Sequence, residues 1–134
     1  MTAYSDRTKL ELRKFADALA ALEEAALENE TRMARDSLLL RYVFTFEMAW
    51  QAMRQVLLDR GDTETPRVAF STLDTAFKVG IVRDPALWDE LRKARNGVVH
   101  AYDEAEAIAL AALVRQRALP TLRALLTDLE AGGK

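Results

Sequence analysis

The chain has 134 residues, enough for one domain with a hydrophobic core, and it contains no cysteine. A disulfide framework, a thiol nucleophile and a zinc site built on thiolates are therefore excluded. The 19 Lys and Arg residues nearly balance the 21 Asp and Glu residues, which argues against binding long nucleic acids by bulk electrostatics. We expect a single domain over residues 1–134, with the ordered part running from about 5 to 130.

The N-terminal segment has no targeting pattern. Residues 1–7 lack a basic region followed by an apolar stretch, and no uninterrupted apolar run approaches the length of a membrane span. We therefore expect a cytoplasmic protein with no membrane partner.

Apolar residues at steps of three and four predict the first two helices. The stripe of the first helix consists of Leu12, Phe15, Leu19, Leu22 and Ala26. The longer stripe of the second helix consists of Leu39, Val43, Phe46, Trp50, Met53 and Leu57. Further apolar residues flank the second stripe before Gly61 ends the helix, so we expect this helix to lie centrally in a bundle.

Turn signals delimit the later elements. Thr65–Pro66 predicts the start of a short helix that ends at Gly80, and Asp84–Pro85 predicts the start of the next helix. The last helix begins at Asp103 or just before it, and Pro120 bends this helix rather than ending it. No alternating pattern is long enough for a sheet, so the sequence predicts an all-α bundle of four principal helices with shorter ones between them.

Large aromatic side chains recur through these helices. We predict that they form the core rather than a platform for stacking bases: Phe44, Phe46, Trp50, Phe70, Phe77 and Trp88.

The segment from Arg95 to Tyr102 contains the one histidine of the sequence, His100. Imidazole exchanges protons near neutral pH, and the guanidinium of Arg95 can bind phosphate oxygens and stabilise charge that builds on phosphorus. The sequence has no Gly-rich phosphate loop and no paired-carboxylate metal signature, so we expect no metal or other cofactor. The segment therefore predicts metal-independent RNA cleavage or nucleotide handling.

This chemistry places demands on the backbone and on the assembly. Five steps of regular α-helix leave two side chains roughly 140° apart, so Arg95 and His100 would not face one pocket. We therefore predict a helix break between them, at Gly97 and the two valines that follow it. Acid–base cleavage is most easily drawn with two proton-transfer groups, which a symmetric homodimer would supply.

Each residue of this segment also has an ordinary structural interpretation. His100 could be a capping or surface residue, and Arg95 with Asn96 could form a helix-ending salt bridge and C-cap. Tyr102 could be a half-buried aromatic residue whose hydroxyl binds water. Glu47 lies in the most apolar helix, where it either faces solvent or needs a cation such as Arg95.

Several separated motifs occur in a familiar order: Phe15 to Ala25 (FADALAALEEA), Arg35-Asp36-Ser37 with Arg41, Phe44 to Glu47 with Trp50, Gly80 to Val82 with Asp84 and Trp88, and Arg95-Asn96 with His100 and Tyr102-Asp103-Glu104. Together they resemble the nucleotidyltransferase substrate-binding proteins, a family of the HEPN superfamily. The resemblance spans most of the chain. Two positions depart from it, because Gln51 and Val43 stand where a basic and an acidic residue are expected.

The resemblance implies a four-helix up-and-down bundle that forms a homodimer and acts with a minimal nucleotidyltransferase. That partner would hold the metal and the nucleotide. In HEPN proteins, the spacing seen in Arg95, Asn96 and His100 marks an RNA-cutting site. In the toxin–antitoxin pairs of this superfamily, the nucleotidyltransferase silences the toxin by adenylylating the tyrosine at the position of Tyr102.

Three functions follow as hypotheses. The first is a HEPN toxin-like ribonuclease, with His100 as acid–base, Arg95 as phosphate ligand, Asn96 as orienting residue and Tyr102 as the regulated residue; Glu47 and Asp103 would support them. The second is a non-catalytic subunit whose dimer cleft holds a nucleotide or polynucleotide, including RNA, for the partner enzyme. The third is a structural adaptor, in which Arg95 and His100 point apart.

Overall fold

The computed structural model describes residues 3–61, 69–100 and 103–133, and it describes residues 69 and 70 by their backbone alone. Over these ranges the chain is helical and contains no strand, which confirms the predicted all-α class. The elements are α1 (Asp6–Ala26), α2 (Arg32–Asp59), α3 (Ala69–Lys78), α4 (Pro85–Val99), α5 (Glu104–Leu113), a π-helical turn (Val114–Ala118) and α6 (Leu119–Gly132). None of the described helices is both long and apolar enough to cross a membrane.

The helix starts follow the predicted cap chemistry. Asp84 Oδ1 accepts a hydrogen bond from the Leu87 N–H at 3.1 Å, and Pro85 occupies the first turn, where a missing N–H costs nothing. Asp103 Oδ1 accepts a hydrogen bond from the Glu106 N–H at 2.7 Å. Helix α5, the first part of the predicted last helix, therefore begins at the predicted position. The other predicted cap, Thr65 with Pro66, lies outside the described residues.

Two glycines end helices as predicted. Gly61 follows α2 with a φ of +98°, and Gly80 follows α3 with a φ of +85°. Both values lie in the left-handed region, which a side chain disfavours and glycine adopts freely. These glycines therefore allow the chain to turn away from the helix axis.

Helix α2 is the central element, as its broad apolar surface predicted. It packs against each of the other α-helices that the structure describes. The largest completely buried side chains come mainly from α1, α2 and the last helix: Phe15, Leu19, Leu22, Leu38, Tyr42, Phe46, Met53, Val56, Leu57, Leu91, Leu122 and Leu126. Burying a side chain of this size contributes roughly 1.5–3 kcal/mol to the free energy of folding. These side chains together are therefore a major part of the hydrophobic driving force.

The aromatic core prediction is correct in part. Phe46, Trp50 and Trp88 are buried, whereas Phe44 and Phe77 are exposed, so the core assignment of these last two residues is wrong. Phe44 follows Leu40 by one turn on the side of α2 that faces solvent, while the buried side begins with its neighbours Thr45 and Phe46. The side chain of Phe70 lies outside the described part.

Contacts between helix ends show how α1, α2 and α6 are oriented relative to each other. The Ser5 N–H donates to Asp59 Oδ2 at 2.9 Å, and the Tyr4 hydroxyl donates to the Leu129 carbonyl oxygen at 2.7 Å. The start of α1 therefore lies beside the ends of α2 and α6, so α1 runs antiparallel to both helices.

The last helical rod continues through Pro120, as predicted. Proline has no N–H with which to continue the regular hydrogen-bond ladder. The preceding turn, Val114–Ala118, widens to π-helix, and the Leu119 N–H donates to the Val114 carbonyl oxygen five residues earlier. The rod thus absorbs the proline without ending.

Candidate functional site

The candidate site is centred on Glu47, a residue of α2 whose side chain faces α4. Its Oε1 lies 2.7 Å from Arg95 Nη2, and its Oε2 accepts a hydrogen bond from Trp50 Nε1 at 2.9 Å. The two charged side chains are partly open to solvent, with 30% of Arg95 and 29% of Glu47 exposed. We predicted that Glu47 would need a cation such as Arg95 if it faced inward, and the structure places Arg95 beside it.

Tyr42 fixes the two helices to each other beneath this ion pair. It is completely buried, and its hydroxyl donates to the Leu91 carbonyl oxygen, one turn before Arg95, at 2.7 Å. Burial raises the pKa of the Tyr42 phenol above its ordinary value, although the positive charge of Arg95 acts in the opposite direction. The phenol is thus a neutral donor at physiological pH, and it holds α4 at a defined position along α2.

Asn96 completes the surroundings of Arg95. Arg95 Nη1 donates to Asn96 Oδ1 at 3.2 Å, and this hydrogen bond is exposed to solvent. Arg95 Nε is buried and has no hydrogen-bond partner within the described ranges. The guanidinium is therefore held on two sides, by an acid from α2 and by its neighbour on α4.

The predicted helix break between Arg95 and His100 is wrong. Helix α4 continues to Val99, and the backbone N–H of His100 donates to the Gly97 carbonyl oxygen at 3.1 Å. Gly97 keeps a negative φ and lies beside Leu110 of α5, while Val98 packs against the core. Packing of Gly97 and Val98 therefore stabilises the helical conformation against their low helix propensity, while Val99 is exposed.

A continuous helix separates the two side chains that the catalytic hypothesis requires together. Residues five apart on a regular helix point roughly 140° away from each other. Arg95 contacts α2, whereas His100, the residue that caps α4, is exposed. The helical backbone through Val99 therefore does not direct Arg95 and His100 to the same side of α4.

The other end of the motif is also attached to α2. Asp103 caps α5, and Glu104 Oε1 lies 3.0 Å from Nη2 of Arg35, which is buried at the start of α2. Tyr102, predicted as the regulated residue, lies outside the described residues. The motif therefore runs between two ion pairs with the same helix, Glu47–Arg95 and Arg35–Glu104.

Three polar partners of this site were not assigned from the sequence. Trp50 was expected in the core and as part of a family motif, Tyr42 was not singled out, and Arg35 entered only through the family resemblance. The spacing of three residues between Glu47 and Trp50 on one helix could have suggested their contact. The Arg35–Glu104 pair joins residues 69 positions apart, and no local pattern indicates such a contact.

We also searched the described residues for metal-ligating clusters and for a pocket near the candidate site. The described residues contain no group of three or more His, Cys, Asp or Glu side chains that could hold a metal ion. A pocket of about 230 Å³ lies between α3 and α4, with apolar walls that include Leu73, Phe77 and Trp88. Asp89 and Arg92 also line this pocket, while Arg95 and His100 do not.

Comparison with protein families gives a match over most of the chain. The model of the family described as "nucleotidyltransferase substrate binding protein like" matches residues 10–131. The chain belongs to this family. The matched range includes Glu47 and the whole segment from Arg95 to Glu104, which confirms the resemblance predicted from the separated motifs.

Comparison with solved structures gives the same fold. The chain is similar to the crystal structure of a protein from Thermus thermophilus, with 28% sequence identity and a TM-score of 0.73. The similarity covers 90% of this chain and 98% of the Thermus chain. No curated protein sequence matches the chain. The family model thus shows the family, and the solved structure supports the fold.

Proposed function

We propose that the chain is the non-catalytic substrate-binding subunit of a two-component nucleotidyltransferase. A separate minimal nucleotidyltransferase would supply the metal ion, the nucleotide and the catalytic carboxylates. The family match supports this proposal directly. The observation that carries it is the continuous helix α4, because this helix directs Arg95 towards Glu47 and leaves His100 exposed on another side.

The exposed end of α4 is the surface that we assign to the substrate and the partner. His100 is exposed there, Asn96 lies one turn of α4 earlier, and Asp103 caps the start of α5. Polar side chains on a rigid helix end can present a substrate without any proton transfer of their own.

Reconstitution with a minimal nucleotidyltransferase partner tests the proposal. The two purified subunits are mixed with Mg²⁺, ATP labelled at the α-phosphate, and a mixture of nucleotides and RNA as acceptors. Complex formation and transfer of labelled AMP to an acceptor, with release of pyrophosphate, are measured, and label on this chain itself is scored separately. We expect a stable complex, and transfer by the partner that depends on this chain and falls at least tenfold with His100→Ala. A structural adaptor would instead show unchanged transfer, with His100→Ala altering thermal stability alone.

A metal-independent endoribonuclease is the second candidate. It is favoured by the exposure of His100 near Asn96 and the partly open Arg95, which a second copy of the chain could complement. In that reaction a ribose 2′-oxygen attacks phosphorus, the 5′-oxygen leaves with a proton, and a cyclic phosphate forms. Cleavage of mixed RNA in EDTA by the wild type, and not by His100→Ala, would favour this candidate over the first.

Regulation through Tyr102 belongs to the second candidate. The Tyr102 hydroxyl oxygen would attack the α-phosphorus of ATP on the partner enzyme, lose its proton and release pyrophosphate. The AMP group would bring a negative charge close in sequence to His100 and Arg95, where an RNA phosphate has to bind. Mass spectrometry after incubation with the partner should find one added AMP on wild type and none on Tyr102→Phe.

The homodimer is proposed with a defined surface. Met33, Leu40 and Phe44 are 83%, 57% and 57% exposed on one side of α2, and Asp36 and Arg41 flank them. A two-fold axis near the middle of this stripe would pair apolar residues with apolar residues and Asp36 with Arg41 of the second copy.

A further inference from the structure

Two donors from different helices converge on the Glu47 carboxylate. Arg95 Nη2 lies 2.7 Å from one of its oxygens, and Trp50 Nε1 donates to the other at 2.9 Å. Guanidinium and indole N–H groups are donors that can also bind phosphate oxygens, and neither can accept a hydrogen bond. The pair is therefore chemically suited to any anion with two free oxygens.

We propose that Arg95 and Trp50 form an oxyanion-binding site for the phosphate group of a nucleotide or an RNA, and that Glu47 occupies this site in the unliganded chain. The identity of the biological ligand rests on the proposed function, whereas the anion site itself rests on the geometry. A phosphate entering the site displaces the carboxylate, which rotates into solvent.

The surroundings favour exchange at this position. About a third of each charged side chain is open to solvent, so Glu47 has a path outward and a phosphate has a path inward. Arg95 keeps its hydrogen bond to Asn96 when Glu47 leaves, and the buried position of its Nε restricts the movement of the side chain. Trp50, on α2, is largely buried in the core. The Arg95 and Trp50 donors are therefore both preorganised.

The described part of the chain offers comparisons within the same molecule. Other ion pairs between helices, Glu90–Arg117 and Glu23–Arg123, join an arginine to an acid without an indole donor. In the Arg35–Glu104 pair, the arginine is buried and the acid is the exposed partner. A carboxylate bound by two different side chains, one of them a buried indole, thus distinguishes the Glu47 site from these surface pairs.

Glu47→Gln in the full-length chain tests the proposal. The glutamine keeps the size of the side chain and can still accept from Trp50, but it no longer neutralises Arg95. We expect inorganic phosphate to bind about tenfold more tightly than to wild type, since a charge-assisted hydrogen bond contributes an amount of this order. Glu90→Gln is the matched control, because it removes the same charge from another interhelical arginine pair, and it should bind phosphate as wild type does.

Nuclear magnetic resonance of the indole N–H groups gives the readout. The chain has two tryptophans, so two indole signals are expected, and Trp88→Phe assigns them. Phosphate should shift the Trp50 signal and leave the Trp88 signal unchanged. AMP and a short single-stranded RNA are titrated in parallel, and the tighter of the two identifies the source of the phosphate.

Three results would overturn the anion site: equal phosphate affinity of Glu47→Gln and wild type, an equal gain in Glu90→Gln, or a shift confined to Trp88. If Glu47→Gln does not fold, Glu47→Asp retains the charge but draws the carboxylate back, and its phosphate affinity should exceed that of wild type. Failure of the partner complex with intact phosphate binding would remove the proposed function and leave the anion site standing.

Discussion

At the scale of single residues, the buried phenol of Tyr42 links the fold to the candidate site. Its hydroxyl donates to the Leu91 carbonyl oxygen on α4, one turn before Arg95. The same side chain is packed in the core of the bundle. One residue therefore stabilises the core and sets the height at which Arg95 meets Glu47.

The alkaline stability of the protein should depend on Tyr42. The unfolded phenol ionises near pH 10, whereas burial raises the native pKa, so the native state keeps this proton after the unfolded state has lost it. The stabilisation is complete below pH 10 and declines as the pH rises from there towards the native pKa. Urea unfolding should show a smaller loss of stability above pH 10 for Tyr42→Phe than for wild type.

At neutral pH the same variant measures the hydrogen bond. Tyr42→Phe should reduce the free energy of unfolding by about 1 kcal/mol, since the ring remains packed and one hydrogen bond is lost. Parallel pH profiles for wild type and Tyr42→Phe would contradict the assigned role of the buried phenol.

At the scale of elements, local chemistry predicts most of the boundaries. The caps at Asp84 and Asp103 and the turn glycines Gly61 and Gly80 follow from residue type alone, because each satisfies a specific backbone requirement. The continuity of α4 was not predicted. Helix propensity disfavours a glycine followed by two β-branched residues, but packing of Val98 against the core overrides it.

Contacts between elements were predicted less well than the elements themselves. The Glu47–Arg95 pair was one of two alternatives predicted for Glu47, since an acid that faces inward requires a cation. The exposure of Phe44 was not anticipated, because a stripe pattern alone cannot show which side of a many-sided apolar helix remains uncovered. Tertiary arrangement decides both outcomes.

Two glycine substitutions should have opposite effects on stability. Gly97→Ala places a methyl group 3.7 Å from Leu110 Cδ2, an ordinary contact within a helix, so the free energy of unfolding should rise by about 0.5–1 kcal/mol. Gly80→Ala forces an L-residue to a φ of +85°, so the free energy of unfolding should fall by about 1 kcal/mol or more. Urea denaturation measures both changes.

The glycine pair also tests the helical course of α4 through Gly97. Destabilisation by Gly97→Ala as large as that by Gly80→Ala would mean that Gly97 serves a turn rather than a helix. Such a result would reinstate the break that the sequence suggested.

At the scale of the whole molecule, the exposed stripe on α2 bears on assembly. A monomeric protein seldom exposes several large apolar side chains side by side, and Leu40 and Phe44 are one turn apart on the same helix. The stripe also carries one acid and one base at its sides, which a two-fold axis can pair reciprocally. The surface is thus compatible with a second copy of the chain.

Phe44→Asp should weaken the proposed homodimer. Light scattering over a concentration series should give a dimer for wild type and a monomer for Phe44→Asp at concentrations where wild type has associated. Phe77→Asp is the matched control, since Phe77 is an exposed phenylalanine on α3, and it should leave the molecular mass unchanged. A wild-type monomer at all concentrations would refute the homodimer, and identical association of all three proteins would refute the α2 surface.

The two ion pairs between the motif and α2 also limit how this region can vary in length. Arg35 and Glu47 are separated by about 18 Å along a straight helix, and the chain from Arg95 to Glu104 is pinned near both points. Residues 95–99 of this segment are helical, and Glu104 begins α5. Exchanging side chains within the segment leaves the two attachments intact, whereas adding or deleting one residue shifts the register of α4 or α5 against its anchor.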